Sequence, residues 1–318
     1  MVPKQDKASV QEGRALANRV LVATDFSRAS RRAARRAVQL PLARGARLSL
    51  LHVMPEKLPD KLAASFKRQV RASLEEAVEE AAGAARKIGR DDLRFTPLLS
   101  QGRAFVEIVR RARALNASFI VMGRGSRPSG LRSRLFGAIA AGSVTEQVVR
   151  KAELPVLVVA QAPSKPYRRV LAAVDLSDVS REIADLALSV SPAGATLELL
   201  HAYQLPFETS METYLPEDQV VQYRQELRQA AQVGTSSLVE VLEAPEEVTV
   251  TAVVRRGEPR TIVLEEAVRR GADVIVLGTH ARTGLAHMLL GSVAESVLRR
   301  SPCDVLIARP ARVTFELP

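Results

Sequence analysis

Five landmarks recur along this 318-residue chain at a nearly constant separation. Asp25 is answered by Asp175, His52 by His201, Gly102 by Gly257, Gly123 by Gly278 and Gly142 by Gly291, at offsets of 150, 149, 155, 155 and 149 residues. Ser27 and Ser30 are answered in the same way by Ser177 and Ser180. So regular a spacing marks an internal duplication, which restricts the fold to two copies of one unit. Each half is long enough to bury its own core. The expected units are residues 1–162 and 163–318, joined at Gln161-Ala-Pro-Ser-Lys-Pro166, whose prolines favour an extended chain.

Within each copy, short apolar runs alternate with helical patterns. In the first, strands are expected at Arg19–Thr24, Ala46–Val53, Leu93–Leu99, Ser118–Met122 and Pro155–Ala160. Helical periodicity or composition fills Arg31–Leu40, Asp60–Lys87, Ala104–Ala114 and Val144–Arg150. The second copy repeats this order from Val170 to Ala308. Strands alternating with helices predict right-handed parallel crossovers and an α/β, doubly wound sheet in each half.

The stretch ADVIVLGTHARTGLAHMLLGSVAESVLRR, residues 272–300, carries the best candidate chemistry. An apolar strand breaks at Gly278, and Gly291-Ser292 opens a helix thirteen positions later. A helix start offers unpaired N–H groups and a positive dipole end, and glycine lets an anion approach the backbone. A glycine after a strand and a serine at a helix start are also ordinary connection chemistry. In the first copy the corresponding loop, Gly123 to Gly142, is six residues longer and contains Arg124, Arg127, Arg132 and Arg134. These could clasp phosphate or nucleic acid, or simply be solvated.

The run GTHARTGLAHMLLGSVAESVLRRSPCDVLIA resembles the C-terminal signature of the universal stress protein family, whose nucleotide-binding members carry G-x-x-G-x9-G-[ST] here. Gly278, Gly291 and Ser292 match it, and Ala281 stands where the second glycine would be. The resemblance implies two tandem Rossmann-like, five-stranded parallel-sheet domains of strand order 3-2-1-4-5. Strands 1 and 4 then meet at the topological switch point, where open parallel sheets bind ligands. It implies an ATP or related adenine-nucleotide site, with Mg²⁺ as a companion ion. The aspartate would lie near adenine and ribose, and the Gly-Ser would take the phosphates. In the C-terminal copy the implied residues are Ala173, Val174, Asp175, Ser177, Ala202, Leu277, Gly278, Arg282, Gly291, Ser292 and Val293. In the N-terminal copy they are Thr24, Asp25, Ser27, Val53, Met122, Gly123, Gly142, Ser143 and Val144. Asp175 also fits a helix-capping role with Ser177. In the second copy the extra methyl of Ala281 disfavours positive φ and a tight backbone approach; the first copy, whose loop is longer and lacks the G-x-x-G start, is expected to bind nucleotide more weakly or not at all. The resemblance further pairs the apolar fifth strands, PVLVVA and VLIA, into an internal pseudo-dimer, and it admits an additional homodimer.

Other classes are disfavoured by what the chain contains. No run approaches 18 apolar residues and the first residues are polar, so neither a membrane span nor a signal peptide is expected, and the cytoplasm is the expected compartment. Cys303 is the single cysteine and reads as a small core residue. No G-x-x-x-x-G-K-[ST] or G-x-S-x-G occurs, the histidines show no metal-ligand spacing, and nothing specifies a catalytic machine. Residues 1–162 carry 30 Lys+Arg against 14 Asp+Glu, a charge of +16, whereas 163–318 carry 16 against 21, a charge of −5. This asymmetry fits pairing of the halves, an anionic partner for the first, or a solvated basic surface. Besides nucleotide binding without turnover, two readings therefore stay open: a scaffold without nucleotide, and nucleic-acid association. The aromatic content of 4% argues against the last.

Overall fold

The computed structural model describes residues 17–57, 60–125, 144–205, 213–279 and 290–309. The first copy contributes β1 (Ala17–Ala23), α1 (Arg28–Ala37), β2 (Leu42–Met54), α2 (Asp60–Lys87), β3 (Arg94–Gln101), α3 (Ala104–Ala114), β4 (Phe119–Gly123), α4 (Val144–Lys151) and β5 (Val156–Val159). The second contributes β6 (Arg169–Val174), α5 (Ser180–Ser189), β7 (Thr196–Tyr203), α6 (Glu217–Glu240), β8 (Thr249–Arg256), α7 (Pro259–Arg270), β9 (Val274–Gly278), α8 (Ser292–Arg300) and β10 (Asp304–Ala308). Strand β2 begins earlier than its apolar pattern suggests, because Leu42 already pairs with Ala17 ahead of an irregularity in the ladder. No helix among the described residues is long and apolar enough to cross a membrane.

The strands form one ten-stranded sheet of order β3-β2-β1-β4-β5-β10-β9-β6-β7-β8, so each half has the expected order 3-2-1-4-5. All pairings within a half are parallel, while β5 meets β10 antiparallel. The register at that seam is Val156↔Ile307, Leu157↔Leu306 and Val158↔Val305. Leu157 and Leu306 are each other's counterparts in the duplication, so a pseudo-twofold axis passes between them and the contact is isologous. The seam gives each fifth strand a partner, removing two apolar edges that water would otherwise have to cover.

Alternation along the strands divides the core between the two faces of the sheet. Val20 and Val22 of β1 face α1 and α2, and the same layer continues through Leu157 and Leu306 to Ile183 and Ala184 of α5. Leu21 faces the other way, toward Ile108 of α3, in a layer reaching Val148 of α4, Val297 of α8 and Val263 of α7. Both layers therefore run unbroken across the seam.

Polar contacts at the seam follow the same symmetry in part. Arg150 of α4 pairs with Glu295 of α8, and Arg299 of α8 pairs with Glu146 of α4, both at 3.6 Å. These partly exposed pairs contribute little energy but mark the twofold. Asp304, 1% exposed, breaks the symmetry. Its carboxylate accepts from Arg36 Nε at 3.0 Å, the Tyr167 hydroxyl at 2.8 Å and the Ala160 amide at 2.8 Å. Arg36 also lies over the Tyr167 ring, 4.1 Å from its centroid, and donates to the Lys165 carbonyl. First half, connection and second half thus meet on one buried carboxylate. Asp304→Ala leaves the Arg36 charge buried without its counter-ion, so denaturant unfolding should show a loss of about 3–5 kcal/mol. A loss below about 1 kcal/mol, the range of exposed pairs, would contradict this account of the seam.

Candidate functional site

In each half, the carboxyl ends of strands 1 and 4 open a crevice, as their adjacency at the switch point requires. The chain leaves β1 through Thr24-Asp25-Phe26-Ser27 and β6 through Val174-Asp175-Leu176-Ser177. Both aspartates tie down the turn that follows: Asp25 Oδ1 accepts from the Ser27 amide at 3.0 Å, and Asp175 Oδ1 accepts from the Ser177 amide at 3.1 Å. Asp175 Oδ1 also accepts from the Ser177 and Ser180 hydroxyls at 2.5 and 3.2 Å. Asp175 therefore closes the turn rather than capping α5, whose N-cap is Val179; in the first half Ser27 caps α1 by accepting from the Ser30 amide.

The residue after each aspartate has a left-handed backbone, Phe26 at φ 62° and Leu176 at φ 59°. Bulky residues adopt this region only under constraint, and such strain is concentrated at ligand sites. Packing holds both residues in place. The Phe26 ring stacks on His52 with centroids 4.4 Å apart. Leu176 lies against Gly234, where an added Cβ would come within 2.9 Å of Leu176 Cδ1. The sequence gives no sign of this conformation, since nothing at either position is glycine.

His52 Nδ1 bonds the Thr24 carbonyl at 2.8 Å and His201 Nδ1 bonds the Val174 carbonyl at 2.9 Å. Each histidine thus ties its strand to the end of the neighbouring one, a structural role. No cluster of His, Cys, Asp or Glu that could hold a metal ion occurs among the described residues.

The N-terminal crevice contains a cavity of about 560 Å³, within the range of small-molecule sites. Thr24, Asp25, Ser27, Val53, Met122, Gly123 and Val144 all line it, so the described members of the expected N-terminal set converge on one space. Gly142 and Ser143 lie outside the described residues. Burial works against the charge on Asp25, but hydrogen bonds from Ser27 and Ser30 outweigh it and hold the carboxyl below its ordinary range. Arg124, a candidate phosphate clasp, turns elsewhere. Its guanidinium donates to the carbonyls of Ser301 at 2.8 Å and Cys303 at 3.2 Å, across the seam. Cys303 itself is buried, and burial pushes its thiol up to about 11.

In the C-terminal crevice, Leu277 and Gly278 end β9 beside Ala173, which pairs with Leu277, and Val174 ends β6. Ala202 lies on the neighbouring β7, half-buried. Gly291 is the N-cap of α8, with its amide donating to the Thr279 carbonyl at 2.7 Å, and an exposed Ser292 and half-buried Val293 follow. Arg282 lies outside the described residues, as do Ala281, His280 and His287. Asp175 Oδ2 is buried and has no hydrogen-bond partner among the described residues. A buried carboxylate oxygen without a donor is costly, and it calls for a ligand or water that can donate.

The family model described as "Universal stress protein family" matches residues 17–160 and 166–309. A universal stress protein of Mycobacterium tuberculosis is 31% identical over 252 residues, covering 76% of this chain and 76% of that protein. A universal stress protein A homolog of Coxiella burnetii is 34% identical over 144 residues, 44% of this chain and 94% of that protein. Among solved structures, a universal stress protein from Archaeoglobus fulgidus superposes with a TM-score of 0.67 at 22% identity, covering 92% of this chain and 97% of that one.

The glycine ending β4 has a packing reason of its own. A Cβ on Gly123 would lie 2.5 Å from the backbone carbonyl carbon of Ala29 in α1. Gly123→Ala must push α1 off the sheet, so thermal unfolding without any ligand should show destabilisation of about 1–3 kcal/mol. An unchanged melting temperature would mean that this glycine is not required by the α1 contact.

Proposed function

Because the chain belongs to the universal stress protein family, we propose that it is a stress-response or signalling protein that acts by binding an adenine nucleotide, ATP foremost, rather than by turning it over. Residues 1–162 and 163–318 are taken as its two units, and the C-terminal crevice as the nucleotide site. The observation that carries this reading is the buried Oδ2 of Asp175, unpaired among the described residues, at the switch point between β6 and β9. An ionised carboxylate only accepts hydrogen bonds. Ribose hydroxyls and the adenine amino group are donors of the kind it lacks. Ala173, Val174, Ala202 and Leu277 would supply the apolar walls. Gly278, Gly291, Ser292 and Val293 would receive the phosphates at the start of α8, where free amides and the dipole favour anions. Arg282 and a phosphate-bound Mg²⁺ belong to the same proposal. The seam of the two halves makes the pseudo-dimer internal to one chain, and any further homodimer is separate from this site.

Calorimetric titration of the full chain with ATP and Mg²⁺ tests the reading. Binding should appear, and Ser292→Ala should weaken it by about 1–2 kcal/mol, the scale of one hydrogen bond to a charged group. Absence of heat and of any thermal shift at millimolar nucleotide would overturn it.

A further inference from the structure

Helices α4 and α8 lie side by side and antiparallel at the seam, since Arg150 meets Glu295 while Glu146 meets Arg299. Each is held at both ends, and by a different half at each end. The start of α4 is tied within its own half, where Thr145 Oγ1 donates to the Gly123 carbonyl at 3.2 Å. Its end is held by the other half: Arg309 Nη1 donates to the carbonyls of Arg150 at 2.8 Å and Ala152 at 3.3 Å. The start of α8 is tied in the same manner. The Gly291 amide donates to the Thr279 carbonyl at 2.7 Å, and the Thr279 amide donates to the Ala308 carbonyl at 3.0 Å. The far end of α8 is gripped by Arg124, through the Ser301 and Cys303 carbonyls. Gly123 and Arg124 are adjacent in sequence, as are Ala308 and Arg309, so these contacts close into a ring.

The two clamps are not copies of each other. Arg124 is answered in the duplication by Thr279, 155 residues on, and Arg309 answers Ala160, 149 residues back. Two non-equivalent positions thus place a guanidinium, which keeps its charge, at the negative end of a helix from the other half. Helix α8 has nine residues, a length of about 13 Å. Its first turn, behind Gly291, is the part of the proposed C-terminal site that meets the phosphates. Close-packed elements transmit displacement rather than absorb it, so where the last turn is held decides where the first turn stands.

We infer that Arg124 is a positioning residue for the C-terminal site: from the first half, through α8, it sets the place of the phosphate-receiving turn. The ligand in this inference rests on the nucleotide reading given above. Arg124 also lines the cavity of the N-terminal crevice, so the wall of one crevice steadies the helix of the other.

The test compares the full chain with Arg124→Ala, Arg124→Lys and Leu74→Ala. Leu74 is a buried α2 residue on the other face of the sheet and controls for lost stability alone. Without ligand, hydrogen exchange in segment 290–296 should quicken in Arg124→Ala beyond any change in Leu74→Ala. Arg124→Lys, which returns a cation able to donate, should restore most of the difference. In calorimetry with ATP and Mg²⁺, affinity should fall about threefold or more in Arg124→Ala, a size that packed networks transmit between distant points. It should be unchanged in Leu74→Ala. Exchange in 290–296 no faster than in the Leu74→Ala control overturns the inference, whatever ATP does. Faster exchange with undiminished ATP affinity overturns it as well. If the unaltered chain binds no ATP, the nucleotide reading fails by itself, and the exchange comparison still decides the role of Arg124.

Discussion

A buried carboxylate must find donors, and the way Asp304 finds them fixes how the two halves are assembled. It opens β10, next to the strand that crosses the pseudo-twofold axis, and draws Arg36 from the first half and Tyr167 from the connection onto one point. The Leu157–Leu306 contact supplies the apolar part of the seam but is symmetric, so it sets register without favouring one half over the other. Asp304 supplies the asymmetry. Its partners lie 268 and 137 residues away in sequence, so the junction forms only when both halves are in place.

The antiparallel seam has a consequence for the crevices. Strands run one way in the first half and the opposite way in the second, so the carboxyl ends of the two sets lie at opposite edges of the sheet. Ligands bound at the two switch points would be well separated and could be chosen independently. Both crevices keep the aspartate and a strained residue after it, but the positions of Arg28 and Arg32 on α1 are filled in the duplication by Asp178, ahead of α5, and Glu182. The basic character of the first half is also dispersed by pairing with Glu80 and Asp304, which argues against one continuous nucleic-acid face on α1.

The duplication, the order of the elements and the location of the crevices were legible because each depends on local pattern. Apolar runs such as Val156–Val159 are buried on both faces of the sheet and read as strands without needing their neighbours. The fixed offsets made one half a check on the other. What was hidden depends on contacts distant in sequence. Arg36 looks like its neighbours Arg31, Arg32 and Arg35, and only the fold brings Asp304 to it. Arg124 reads as part of a basic loop, yet it reaches across the seam to backbone carbonyls that no motif announces. The left-handed Phe26 and Leu176 defy the residue preference that a sequence reading relies on. A partial clue did exist for Asp304, since a carboxylate at the start of a wholly apolar strand demands a buried cation somewhere.

The central claim is that the C-terminal crevice is a nucleotide site. Hydrogen exchange on the intact chain, compared with and without ATP, tests it most directly. The account predicts slowed exchange in segments 173–177, 274–279 and 290–296, and less or none in 23–32 and 119–125. Protection confined to the N-terminal segments, or of neither set, would contradict it.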